Sequence, residues 1–348
     1  MAEGVWREVE QALTALAGED RFSGSVLVSR GQETLLECAA GAADRACGAP
    51  VTPATRFGLA SLSKMFTAAA VLSCVRDGRL AVEDRVVDVL PEHRRPRTMV
   101  DEVTVLHLLT HTSGIGDYAE EDEDLPGYVD DYAALWRERP SYAMEHPDDF
   151  LPLYADAAPV SEPGAEFHYC NAGYVLLGAV IEEVTGLDFP RVVEERVLGP
   201  AGMTASGYLR LDDAVPDRAT GHLAPVRSAG PWRSNVFSIP VVGGGDGGAF
   251  ATARDVDRFL RSLASGALLG EETSARMRTR HVAVSDGVWM GQGLFLRADG
   301  SFGHGGGDPG VETLSRHLPD RDLTLVVLCN QEGAVGPAWT LLQEAVAP

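Results

Sequence analysis

Lysine is almost missing from this chain. Of 29 basic side chains in 348 residues, Lys64 alone is lysine and all the others are arginine. Guanidinium keeps its proton at any workable pH, whereas an amine can lose one inside a protein. A single lysine in an arginine chain therefore marks a place that calls for a neutral amine. Positive charge as a whole is scarce. The formal net charge of −22 argues against nucleic-acid or anionic-membrane binding. Long apolar runs are lacking, and none approaches the roughly 20 residues that span a bilayer. The N-terminal stretch MAEGVWREVEQALTALAGED has no basic n-region and no apolar h-region, so a soluble, cytoplasmic protein is expected. Cysteines are few and odd in number (Cys38, Cys47, Cys74, Cys170, Cys329), with no CxxC pair, which suits reduced thiols. There is no GxSxG, so a nucleophile elbow has no support. His107 and His111 stand four apart without the glutamate that makes HExxH a zinc helix. Both are read as structural, and neither a metal nor a cofactor is expected.

A hydrophobic content of 45% is ample for a large core. Trp6, Val9, Leu13 and Leu16 recur at helical spacing and predict a docked N-terminal helix. Residues 23–29 and 33–40 read as a hairpin around Arg30-Gly31-Gln32. Ser61 to Arg76 reads as a helix stopped by Asp77-Gly78, Thr104 to Leu109 as a short capped helix, and Gly173 to Val184 as a strong one. The acidic, proline-bearing segment 119–166 is expected to wander over the surface with short helices, with Glu120 to Asp124 a solvated run. Thr252 with Asp255 has the form of an N-cap and an acid three residues on. Strands return at 312–318 and 323–329, and a final helix runs from about Pro337 to Val346. Strands at both ends and helices between them predict an α+β fold. Residues 1–60 and 230–348 would form one α/β subdomain, 61–229 a mostly helical insertion, and the active site would lie where they meet.

Three motifs stand in order along this plan. The first is Ser61-Leu62-Ser63-Lys64, in which residues three apart share a helical face. The others are Tyr169-Cys170-Asn171, just before the strong helix, and His304-Gly305-Gly306-Gly307, where a strand should begin. In order and spacing they resemble the SxxK, YxN and HxG elements of the serine β-lactamase and penicillin-binding protein superfamily, in its class C β-lactamase-like branch. LLTHTSGIGDY (108–118), GGGDGG (243–248) and HGGGDPG (304–310) strengthen the likeness, which spans nearly the whole chain. The resemblance implies a β-lactamase/DD-peptidase-like fold, an antiparallel sheet flanked by helices.

A serine hydroxyl needs a base to become a nucleophile. Ser61 is the candidate nucleophile. Lys64, neutralised by burial, is one candidate base, and Tyr169, as a phenolate held by Lys64 and His304, is the other. Asn171 suits orientation of Lys64 or of a substrate carbonyl. Gly305 and Gly306 let backbone come close to the substrate. By resemblance the oxyanion hole is the N–H pair of Ser61 and Gly307. Many relatives carry a hydroxyl within or just after the third motif, which helps hold a substrate carboxylate; here Gly305 and Gly307 offer none, and Asp308 and Glu312 lie near. Hydrolysis of an ester, amide or peptide through a Ser61 acyl-enzyme is thus expected. Acyl transfer to an amine or alcohol, β-lactamase or D-amino-acid-specific peptidase activity, and a catalytically inactive binding module with the same fold are the alternatives.

Overall fold

The structure is a computed structural model that describes residues 3–125, 127–137, 139–225 and 230–347. Residue 229, one end of the expected helical insertion, lies outside them. The chain opens with helix α1 (Glu3–Gly18) and the hairpin β1 (Gly24–Arg30) and β2 (Glu33–Ala40). Its last third supplies β3 (Val282–Ser285), β4 (Val288–Met290), β5 (Phe295–Arg297), β6 (Phe302–Gly303), β7 (Gly305–Asp308), β8 (Val311–Leu318) and β9 (Leu323–Cys329). These strands form one nine-stranded antiparallel sheet in the order β2-β1-β9-β8-β6-β5-β4-β3, with β7 paired to β8 off that path. The first and last strands of the chain's two ends are thus neighbours, Val26 opposite Val327.

β9 has the sequence LTLVVLC and is buried at every position. That pattern demands cover on both faces. Val26, Val28, Leu325 and Val327 face a cluster with Trp6, Leu13, Trp339 and Leu342, from α1 and the C-terminal helix. Leu27, Val326 and Leu328 turn to the opposite side and join a larger cluster that runs without a break into the helical middle of the chain. There the Ala253–Ala264 helix lies directly on the sheet, capped by Thr252 Oγ1, which accepts from Asp255 N–H. Lys64–Arg76 and Asn171–Thr185 form the centre of the middle layer, and both are almost wholly buried. No helix among the described residues is long and apolar enough to cross a membrane.

Two expectations need correcting. Segment 119–166 has the short helices expected of it, but they do not stay on the surface. Short turns at Tyr132–Arg137 and Ser141–Ala143 and a helix at Pro147–Tyr154 bury Trp136, Phe150 and Tyr154. Nor is the acidic run wholly solvated. Glu120 is 3% exposed and pairs with His168 Nε2 at 3.0 Å, while Asp122 to Asp124 remain outside. A paired carboxylate can be buried where a bare one cannot.

Candidate active site

Ser61 does not open the α-helix, as the SxxK spacing suggested. It sits in a 3₁₀ turn, Ala60–Ser63, from which the α-helix starts at Lys64. The first bond of that turn runs from Leu62 N–H to Leu59 C=O, so the Ser61 N–H precedes the ladder and is left over for another acceptor. Ala60, just before the serine, is held at φ +49°. A left-handed non-glycine residue is strained, and such strain concentrates at working sites. Three residues per turn bring Ser61 and Lys64 onto one line, and Lys64 Nζ lies 2.9 Å from Ser61 Oγ.

Lys64 is completely buried. Its amine meets two further acceptors, Asn171 Oδ1 at 2.8 Å and the Asp246 backbone carbonyl at 2.6 Å. Burial pulls its pKa below the ordinary value of 10.5, against the opposing charges of Asp246, Glu121, Asp117 and Asp308. A neutral amine has two N–H groups and one lone pair. The two carbonyl oxygens can only accept, which leaves the lone pair for the Ser61 hydroxyl proton.

Asn171 is the first residue of the Asn171–Thr185 helix, and its Nδ2 donates to Glu121 Oε1 at 3.1 Å. Neither Tyr169 nor Asn171 caps this helix. Asp117 does so from outside, accepting the N–H groups of Asn171 at 2.6 Å and Ala172 at 2.9 Å. Burial raises the Asp117 carboxyl to about 7 against these bonds. Tyr169 packs between His111, stacked at 4.3 Å between centroids, and His304 at 6.5 Å. Lys64 Nζ is 5.0 Å from the Tyr169 ring centroid. Burial, with Glu121, holds the Tyr169 phenol well above its usual range, opposed by Ser61. The resting site therefore disfavours the phenolate entertained from the sequence. His304 also gives that phenolate no positive partner, since burial drops its pKa to about 3.

His304 stands between β6 and β7, and Gly305, Gly306 and Gly307 form the start of β7. Gly306 is obligatory for a reason other than substrate approach. A Cβ there would lie 2.4 Å from Leu59 O and 2.8 Å from Ser61 N, so the strand presses on the nucleophile's own turn. Gly307 has open space around it. Ser61, Glu121, Tyr169, Asn171, Asp246, His304 and Gly305 to Gly307 line one cavity of about 680 Å³.

Sequence reasoning missed Asp117, Tyr118, Glu121 and Asp246. Tyr118 donates its hydroxyl to the Asp246 carboxylate, and the Gly243–Gly248 loop carries the carbonyl that meets Lys64. Asp117 and Tyr118 close the stretch LLTHTSGIGDY and Asp246 lies in GGGDGG, motifs that carry the resemblance without naming these residues' roles, while Glu121 belongs to the acidic run read as solvated. His111, read as structural, accepts from Cys170 N–H at 3.0 Å and props Tyr169.

The chain is similar to known proteins over nearly its whole length. Esterase EstB of Burkholderia gladioli is 31% identical over 373 residues, covering 94% of this chain and 91% of its own. Penicillin-binding protein 4* of Bacillus subtilis (strain 168) is 27% identical over 347 residues, covering 95% and 73%. The crystal structure of a penicillin binding protein from Bacillus halodurans superposes with a TM-score of 0.87 at 35% identity, over 95% of this chain and 99% of that one. The Beta-lactamase family profile matches residues 8–347. With its serine and lysine set in a fold of this kind, the chain belongs to the β-lactamase family.

Proposed function

We propose that this protein is a serine hydrolase that cleaves an ester or amide through a Ser61 acyl-enzyme. The observation that carries this reading is the 2.9 Å contact between Ser61 Oγ and a wholly buried Lys64 whose other two partners are carbonyl oxygens. Lys64 Nζ takes the hydroxyl proton as Oγ attacks the substrate carbonyl. The oxyanion is received by the N–H groups of Ser61 and Gly307, an arrangement whose single donors contribute about 3 kcal/mol to such barriers. Tyr169, protonated at rest, passes a proton to the leaving group and recovers one from Lys64. Water then enters and gives up a proton to the same pair as its oxygen bonds the acyl carbon; the C–Oγ bond breaks, the pair returns the proton to Ser61 Oγ, and the acid is released. Asn171 fixes Lys64, and His304 with Gly305 and Gly306 lines the substrate side.

An esterase or amidase is favoured over a β-lactamase or a carboxylate-binding peptidase because Gly305 and Gly307 bring no hydroxyl to a substrate carboxylate, and Asp308 and Glu312 line the same wall. A cytoplasmic site of action is supported by five cysteines that are all free thiols. The division into a two-ended α/β part (1–60 and 230–348) and a helical part (61–229) belongs to the same reading, with Ser61 at the junction. The decisive experiment is a fluorophosphonate probe followed by intact mass and peptide mapping. One adduct on Ser61, missing in Ser61→Ala, is expected. An unlabelled Ser61, under conditions that label a control serine hydrolase, would favour a binding module instead.

A further inference from the structure

The contacts of Lys64 Nζ decide where its lone pair points. Its partner in the glycine-rich loop, the Asp246 backbone carbonyl, can only accept. Asn171 is different, because a side-chain amide has an acceptor at one end and donors at the other. Its terminal torsion is roughly two-fold, so a half-turn exchanges the ends without moving the rest of the residue. That exchange changes the chemistry. With Oδ1 toward Lys64, at 2.8 Å, the neutral amine directs its two N–H groups at Asn171 and Asp246 and keeps the lone pair for the Ser61 proton. With Nδ2 toward Lys64, the amide would donate into that lone pair, and an N–H would point at Ser61 Oγ. The first arrangement activates the nucleophile and the second blocks it.

A neutral Lys64 is satisfied equally well either way, so the choice is made at the far end of the amide. Asn171 Nδ2 donates to Glu121 Oε1 at 3.1 Å. A carboxylate can only accept. A reversed amide would set Oδ1 against Oε1, two acceptors face to face. The main chain of Asn171 is anchored independently, since Asp117 accepts the N–H groups of Asn171 and Ala172 at 2.6 and 2.9 Å. The half-turn is therefore the freedom that remains to this side chain. Asn171 is 6% exposed, whereas Glu121 lies at the surface. Water in place of Glu121 both donates and accepts, and would hold either orientation.

We propose that Glu121 is a positioning residue: its acceptor-only carboxylate holds the Asn171 amide one way round and so aims the Lys64 lone pair at Ser61. This rests on the hydrolase reading above. Glu121 acts through Asn171 and takes no proton itself.

The test reverses polarity at each end of the contact. Glu121→Lys turns the outer partner into a donor, and Asn171→Asp makes both ends of the inner one acceptors. Each substitution is made alone and the two are combined. Two rates are read, kcat/KM for p-nitrophenyl acetate and the second-order rate of fluorophosphonate labelling. Both are taken on each variant's high-pH plateau, where Lys64 is neutral and changes in its proton affinity drop out. In the otherwise wild-type chain, Glu121→Lys should lower both rates about 10-fold, the upper end of one hydrogen bond's net contribution. In the Asn171→Asp background the same substitution should raise them, because an ammonium donates to the outer carboxylate oxygen while the inner one still accepts from Lys64. Such a change of sign marks direct coupling of the two side chains. Glu121→Gln, able to accept or donate, should fall between Glu121 and Glu121→Lys, and it carries the same comparison if circular dichroism shows that Glu121→Lys misfolds. Unchanged rates in Glu121→Lys would mean that Asn171 keeps its orientation unaided, and would overturn the proposal. So would an equal loss in both backgrounds, which a charge effect alone gives, or a loss with the ester and none with the fluorophosphonate, which marks contact with the substrate. Each of these leaves the hydrolase standing, whereas failure of wild-type Ser61 to label would bring down both readings.

Discussion

Replacing Lys64 by arginine preserves a charge and removes a function. Guanidinium cannot release its proton at working pH, and its fork is too broad for a pocket in which three acceptors lie within 2.9 Å of one nitrogen. Lys64→Arg should lower kcat/KM by about 10²–10⁴-fold, the span that general-base catalysis provides, as read by steady-state rates on an activated ester. Full activity in that variant would end the explanation offered for the single lysine. The same chemistry sets the pH dependence. Protonated Lys64 has no lone pair, so activity should fall as pH drops through its pKa and level off above it. Because burial lowers that pKa, the rising limb should lie below the 10.5 of an ordinary lysine. Tyr169→Phe should cost turnover by orders of magnitude. If Tyr169 acts as a donor, the surviving activity should still rise with pH along the Lys64 limb. Coupling makes any apparent value a property of the pair, so the comparison of the two profiles is the test.

At the scale of elements, the site depends on how closely a strand can approach a turn. Gly306→Ala would place a methyl group against Leu59 O and Ser61 N. Backbone cannot rotate aside as a side chain can, so either β7 or the Ala60–Ser63 turn must shift. Overpacking of this kind costs about 1–3 kcal/mol. The expected outcome is a modest fall in Tm with a much larger fall in kcat, measured on the same preparation. Equal activity in the two proteins would mean that the strand has room to spare. Elements of this sort were unevenly visible in the sequence. Hairpin β1–β2, the strand pair β8–β9 and the buried helices were legible, because alternation and helical spacing record which face is covered. Ser61, Lys64, Tyr169, Asn171 and His304 were legible because their motifs are local. Asp117 and Asp246 were not, since an acid that caps a helix 54 residues away and a carbonyl that meets a lysine 182 residues away leave no spacing signal. The acidic segment 119–166 was misjudged for a related reason. Composition reports charge, and it cannot report that His168 will arrive beside Glu120.

Across the whole molecule, burial of imidazole makes acid the weak side of this fold. Six of the nine histidines, His107, His111, His222, His281, His304 and His317, have pKa values lowered first of all by burial. In the unfolded chain each returns to about 6.5. Between that value and its lower folded one, the unfolded state holds the extra proton, so stability rises with pH and is lost on acidification. For His304 the window runs from about 6.5 down to about 3. Asp117 and Asp308 oppose this, because their folded pKa values of about 7 let the native state hold protons that the unfolded carboxylates have released above about 4. Histidines outnumber them, so urea unfolding followed from pH 7 to pH 4.5 should show a falling midpoint and net proton uptake on unfolding. His304→Asn removes one imidazole from that balance and should make the midpoint less sensitive to pH over the same range, whatever it does to the midpoint at pH 7. An unchanged slope in that variant would mean that His304 exchanges protons alike in both states, and that its burial is relieved by water reaching Nε2.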